Sequence, residues 1–333
     1  MKYLITGITG FAGPHLLNLL QSEGHEVYGL IRCSNGRETD ILDIVPSYNF
    51  QSVNFIYGDL RDTKRMMDIL TEYKFDGVFH LAAQSHPPTS FVDPIGTFQD
   101  NIMGSANLIN AISEKQPDCK IMFCSTSEVY GNIGKDGRKI KENDVILPAN
   151  PYGVSKAATD LFMQERMINK KIHGFITRAF SHTGPRRGKN FSISSDAYQI
   201  AKIMGMHKRH PVYTMNTIKV GNLDTTRVVI DVRDTVRAYY LLMQNPKSDG
   251  KIFNVCGDTP RVMRFFTDQL IKFSDIPQMQ TMVDPKFYRP IDIYYQHGDT
   301  TALKELTGWK PKIPIEQTLK DLLNYWEHKI WEN

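Results

Sequence analysis

The sequence predicts an α/β fold, a doubly wound parallel sheet with a second, smaller mixed α/β lobe. Three observations predict it. Short β-rich apolar runs alternate with segments of helical spacing through the first 180 residues, a glycine cluster joins the first such run to the first helix, and the texture changes after Phe180. The strands are expected at Tyr3–Thr6, Val27–Ile31, Val53–Tyr57, Val78–Leu81, Ile121–Cys124 and Phe175–Phe180. Such continuous apolar runs suit strands buried on both faces, which is how parallel sheets are built. Between them, Leu16-Leu17-Leu20, Met66-Met67-Ile69-Leu70, the stretch Ile102 to Ile112 and the segment Tyr152 to Lys171 carry helical periodicity. Past Phe180, prolines at 185, 211, 260, 285, 290, 311 and 314 punctuate shorter elements. Helices are expected at Ala197–Met206, Asp234–Met243 and Ile315–Trp326, with a strand at Lys251–Val255.

Composition narrows the function classes. Of 333 residues, 41% are hydrophobic and 23% charged, a mixture that buries a core and excludes wholesale disorder. The net charge of +4 is too small to draw nucleic acid or a membrane by bulk electrostatics. No apolar run approaches a membrane span, and glycine at position 7 interrupts any signal-peptide core. Four cysteines without CxxC spacing fit a reduced cytoplasmic chain, and ten histidines without HExxH give no reason to expect a metal.

Gly7-Ile8-Thr9-Gly10-Phe11-Ala12-Gly13 stands directly after the first strand and opens the first helix. That context suits a pyrophosphate cradle, in which glycines let backbone approach and a helix N-terminus faces the anion. Gly7, Thr9, Gly10, Phe11, Ala12 and Gly13 are therefore candidate cofactor ligands in a Rossmann-type unit. The end of the second strand reads Arg32-Cys33-Ser34, a cation and a hydroxyl where NAD enzymes place a carboxylate, so Arg32 and Ser34 favour NADP over NAD. The plainer reading of Arg32 is a solvated strand end. Asp59 and Leu60 follow the third strand, where a carboxylate meets the adenine edge. Leu81, Ala82 and Ala83 follow the fourth, where small residues admit the cofactor.

Tyr152 and Lys156 stand at i and i+4, on one helix face. An ammonium beside a phenol favours phenolate, which is expected to lower the tyrosine pKa and make it a usable base. Tyr198…Lys202 and Tyr325…Lys329 have the same spacing and are read as helix-surface pairs, because only Tyr152 follows the fifth strand at the ligand-binding edge of the sheet. Ser125-Thr126-Ser127-Glu128 ends that strand and offers a hydroxyl and a carboxylate beside the pair.

With these motifs in hand, TGITGFAG, GDL, HLAAQS, STSEVYG, PYGVSK, GNLDTTR and RPID together resemble the extended short-chain dehydrogenase/reductase family over Leu4 to about Pro314. Within that family the GDP-mannose 4,6-dehydratase group is most similar and the GDP-4-keto-6-deoxymannose reductases are next. The resemblance implies NADP as cofactor, a GDP-sugar substrate and a homodimer or homotetramer. It implies Tyr152 as base at the sugar 4-hydroxyl with Thr126 sharing the hydrogen bond, and Lys156 as holder of the nicotinamide ribose. Glu128 would remove the carbon 5 proton as water leaves carbon 6, with hydride returned internally and no net redox change. A reductase of the keto sugar would need only Tyr152 and Lys156, and a silent NADP-binding scaffold neither.

The same resemblance assigns Gln84, Ser85, Ser127, Arg186, Asn190, Asn222, Arg227, Arg289 and Asp292 to the substrate. Val228 and Asp292 depart from the dehydratase pattern, and Ser181-His182-Thr183-Gly184 is nearer the reductases. Residues 1–180 and about 222–256 are expected to form the NADP-binding unit. Residues about 181–221 and 257–333 are expected to form the nucleotide-sugar lobe.

Overall fold

The apolar runs become strands in a computed structural model that describes residues 1–32, 37–210, 213–288, 291 and 293–331. They are β1 (Lys2–Thr6), β2 (Glu26–Ile31), β3 (Asn54–Tyr57), β4 (Gly77–His80), β5 (Lys120–Thr126), β6 (His173–Ala179) and β7 (Ile252–Val255). All seven are parallel neighbours in the order β7-β6-β5-β4-β1-β2-β3. The winding reverses between β1 and β4, which opens a crevice at the carboxyl ends of those strands.

Side chains alternate across the sheet as the strand period requires: Tyr3 and Ile5 enter the core on one face and Leu4 the core on the other. The first face is covered by α1 (Gly13–Ser22) through Leu16, Leu17 and Leu20, and by α6 (Val232–Gln244) through Val236 and Tyr239. The opposite face carries α2 (Thr63–Glu72), α3 (Gly104–Lys115) and α4 (Pro151–Ile168), anchored by Met66, Ile69, Leu108, Ile112 and Met163. Short polar side chains start these helices by accepting backbone N–H groups: Asp62 from Arg65, Asn150 from Gly153 and Asp231 from Arg233.

The second lobe is built from α5 (Ser192–Arg209), α7 (Met263–Ser274) and α9 (Ile315–Trp331), with strand Thr217–Val220 paired in parallel to Gln280–Val283. Its own core contains Ile200, Ile218, Leu270, Leu319 and Trp326. The helix α8 (Thr301–Thr307) turns back, so that Leu303 and Trp309 bury in the core of the main sheet.

The helix read at Ile102–Ile112 begins as one π-helical turn, Gln99–Met103, before α3. That turn aims Asn101 at the loop after β4 and at α4: its amide nitrogen donates to the Gln84 carbonyl and to Ser155 Oγ, and its oxygen accepts from the Gln84 N–H. Hydrophobic spacing does not distinguish such a turn from an α-helix. Among the described residues no helix is long and apolar enough to cross a membrane.

Candidate active site

A cleft of about 1070 Å³ lies between the crevice of the main sheet and the second lobe. Gly7, Thr9, Gly10, Phe11, Ala12, Gly13, Arg32, Asp59, Leu60, Leu81, Ala82 and Ala83 line it on the main-sheet side. The turn from Gly7 to Gly13 has no room for side chains. Gly7 has a φ of +75° and a Cβ there would stand 2.8 Å from the Ala82 nitrogen, while a Cβ on Gly13 would stand 2.5 Å from the carbonyl oxygens of Gly7 and Ile8. Pro14 fills the first turn of α1, where a missing N–H costs nothing. Backbone N–H groups and the start of a ten-residue helix thus face the cleft. Two buried hydroxyls on its wall, Ser125 Oγ and Thr183 Oγ1, have no hydrogen-bond partner among the described residues. A backbone cradle closed to side chains and orphaned hydroxyls fit a polar, phosphate-bearing dinucleotide. Ser34 lies outside the described residues. Asp59 is gripped by Arg61, whose hydrogen bonds hold the carboxyl below its usual range.

The strand end and α4 bring Thr126, Ser127, Glu128, Tyr152 and Lys156 to one wall of the cleft. Asn150 organises them. Its Oδ1 accepts from the Gly153 N–H and its Nδ2 donates to Glu128 Oε2, both at 2.7 Å, so one side chain starts the helix that carries Tyr152 and orients the carboxylate. The Tyr152 phenol is buried and hydrogen-bonds Thr126.

The expected lowering of the Tyr152 pKa is not found. Desolvation dominates and pushes the phenol well above its usual value, outweighing the Thr126 hydrogen bond. Lys156 is equally dry and sits over the Phe123 ring at 4.3 Å; burial lowers its ammonium to about 8. At neutral pH the amine is still mostly protonated, and the phenol keeps its proton.

The substrate-side residues divide. Gln84, Ser85, Ser127, Asn190, Asn222 and Arg227 line the cleft. Gln84 is fixed by Thr97 and Asn101, Ser127 by Gln296, and Asn222 by the Asp224 N–H. Arg289 and Asp292 lie outside the described residues. Arg186 is a correction. Its φ of +74° turns the side chain under the glycine cluster, where it donates to the carbonyls of Thr9, Gly10 and Asp40 and pairs with Asp43. Asp43 also accepts from Tyr325 and Lys329, so that pair is a structural anchor for α9.

The next residue, Arg187, lines the cleft instead, its guanidinium 4.7 Å from the Phe11 ring centroid and 3.5 Å from that of Phe191. His182 stacks on Phe11 at 5.7 Å, and burial lowers its imidazole to about 4, so it is neutral. The sequence marks His182 only as part of the Ser181–Gly184 segment, and of the two adjacent arginines it points to Arg186, since neighbours of one type carry no signal for which one turns inward.

A family model described as GDP-mannose 4,6 dehydratase matches residues 4–322. The chain belongs to that family. It is 29% identical to GDP-6-deoxy-D-mannose reductase of Pseudomonas aeruginosa, with 99% of each chain covered. It is 26% identical to human GDP-mannose 4,6 dehydratase, covering 96% of this chain and 90% of the relative. The solved structure of RMD from Pseudomonas aeruginosa complexed with NADPH superposes with a TM-score of 0.80 at 28% identity, covering 98% of this chain and 99% of that one. The chain is an enzyme of the extended short-chain dehydrogenase/reductase type, as its family membership and the parallel seven-stranded sheet agree.

Proposed function

We propose that the protein is an NADP-dependent GDP-sugar 4,6-dehydratase acting on GDP-mannose or a related GDP-manno sugar. One observation carries the reading: the Glu128 carboxylate, oriented by Asn150, shares a cleft wall with Tyr152, Thr126 and Lys156. When bound, NADP supplies a reversible hydride acceptor and a positively charged ring, which favours phenolate at a neighbouring tyrosine. Residues 1–180 and about 222–256 are read as its binding unit, and Arg32 as the contact that favours the 2′-phosphate. Tyr152 takes the proton of the sugar 4-hydroxyl, with Thr126 donating to the phenolic oxygen and Lys156 supplying countercharge. Glu128 takes the proton from carbon 5 once carbon 4 is a ketone. Two bases in two environments, a dry phenol and a hydrogen-bonded carboxylate, match two protons of different acidity. Arg187, held between two rings, is the cation this reading assigns to the diphosphate.

The second reading is an NADPH-dependent reductase of the 4-keto-6-deoxy sugar, favoured by the likeness to the Pseudomonas reductase over 99% of both chains and by the Ser181–Gly184 segment. Incubating the purified holoenzyme with GDP-mannose, without added nicotinamide cofactor, separates them. Release of water with no net NADPH consumption supports the dehydratase. Turnover confined to the keto sugar, with one NADPH oxidised per product, supports the reductase. Full dehydratase activity in Glu128→Gln would remove the role given to that residue.

A further inference from the structure

Among the described residues, the second lobe contributes one buried acid to the cleft. Asp196, in the second turn of α5, is 4% exposed and lies on the cleft wall. Thr267 Oγ1, from α7, donates to its Oδ2 at 2.7 Å. No described residue hydrogen-bonds Oδ1 or pairs with the carboxyl as a cation. The second-lobe wall of the cleft also carries Ile193, Val220, Leu223, Met263 and Phe287, together with the polar Ser192, Ser195 and Lys219. Desolvation alone pushes the carboxyl up to about 7. A hydrogen bond to Thr267 could be made by a serine or an asparagine without burying a charge. A carboxylate at this point is therefore a cost to the empty protein that a ligand with donors would offset.

We propose that Asp196 selects the base of the nucleotide by accepting the adjacent N1–H and N2–H groups of guanine; the inference rests on the GDP-sugar reading above. A carboxylate has acceptor sites on both oxygens, so Thr267 leaves enough for two more hydrogens. Guanine places two donors side by side against that pair, which makes a bidentate, charge-assisted contact. Adenine and cytosine present a donor beside an acceptor, and uracil presents one donor between two acceptors. The apolar side chains on that wall offer a surface against which a flat ring can pack.

Competition binding of GDP, IDP, XDP and UDP to the NADP-loaded protein tests this. IDP lacks the N2 amino group, and one hydrogen bond to a charged acceptor corresponds to about a 10- to 100-fold preference for GDP in the wild type. Asp196→Asn replaces an acceptor with a donor. It keeps an oxygen for Thr267, loses GDP affinity by about 10- to 100-fold and prefers XDP, whose carbon 2 carries an acceptor. Asp196→Ala abolishes the difference between GDP and IDP. NADPH affinity and cooperative melting stay at wild-type values in both variants.

An Asp196→Asn protein that still prefers GDP to XDP overturns the proposal. So does a variant that loses GDP-mannose but holds GDP unchanged, since the carboxylate would then touch the sugar. Should neither variant fold, equal wild-type affinities for GDP and IDP overturn it. Failure of the underlying reading looks different: a wild type that binds UDP more tightly than GDP.

Discussion

Replacing Asn150 with aspartate separates its two jobs. The Oδ1 acceptor that caps α4 is retained in Asn150→Asp, whereas the Nδ2 donor to Glu128 becomes a carboxylate oxygen. Asn150→Ala removes both. Loss of an N-cap costs about 1 kcal/mol, or about 2 °C of melting temperature for a chain of this size. Two carboxylates about 4 Å apart repel by about 4 kcal/mol at an effective dielectric constant of about 20, equivalent to about three pH units, and cleft water reduces this to about one or two. The base must be ionised to act, and a second negative charge makes the pair hold a proton to higher pH. The acidic limb of the dehydration rate profile therefore moves up by about one to two pH units in Asn150→Asp. Melting of Asn150→Asp falls at neutral pH, by about 1–3 kcal/mol, and recovers toward wild type as the pair takes up protons at acid pH, whereas Asn150→Ala keeps its loss of about 1 kcal/mol at every pH. Thermal scans and rates from pH 5 to about 9 read both effects. An unmoved acidic limb in Asn150→Asp, or a melting loss in that variant that does not shrink as pH falls, refutes the division of roles.

Three further outcomes follow from the geometry. Gly13→Ala puts a methyl against two carbonyl oxygens of the glycine turn, and NADPH binding weakens by about 10- to 100-fold in a fluorescence titration. Arg178 and Asp160 form a two-pronged pair with side chains only 2% and 0% exposed. Arg178→Ala costs about 3–5 kcal/mol in urea unfolding, and an apolar Met/Leu replacement of both partners regains most of it. Burial lowers the Lys156 ammonium from 10.5 to about 8. The unfolded chain keeps that proton up to about pH 10.5, so cofactor-free wild type gains stability over Lys156→Met as pH rises through that window, by up to about 3 kcal/mol, with no gain below about pH 8. Parallel stability curves for the two proteins would contradict it.

The sheet was legible because strands buried on both faces leave unbroken apolar runs, and β1 through β7 fall within about two residues of those runs at each end. The Tyr152–Lys156 pair was separable from its two imitators only by position after β5. Tyr325…Lys329 proves to serve Asp43, and Tyr198 packs against Trp326 with Lys202 5.7 Å from its ring. Asn150 was within reach of sequence reasoning, since an asparagine before a proline is a helix-start signal. Its second bond, to Glu128, was not, because it joins segments 22 residues apart. Arg186 and Arg187 exchange places for a backbone reason, a left-handed residue in a loop, that composition does not encode. The raised phenol was missed because spacing reports a neighbouring charge but not the loss of water. Asp196 stayed hidden because a helix pattern does not say which polar residue faces a cavity.

The seventh strand has a consequence for how the chain is made. Ile252–Val255 pairs with Ile176–Ala179 only after about 70 intervening residues, which include α5 and α6. During synthesis, the growing polypeptide presents β6 as a bare border, with unpaired amides and carbonyls open to wrong partners. A fragment ending near residue 180 would carry the glycine turn, the phenol and the ammonium yet keep that border raw. It is expected to self-associate, so cutting the gene there gives aggregates in place of a minimal nucleotide-binding module.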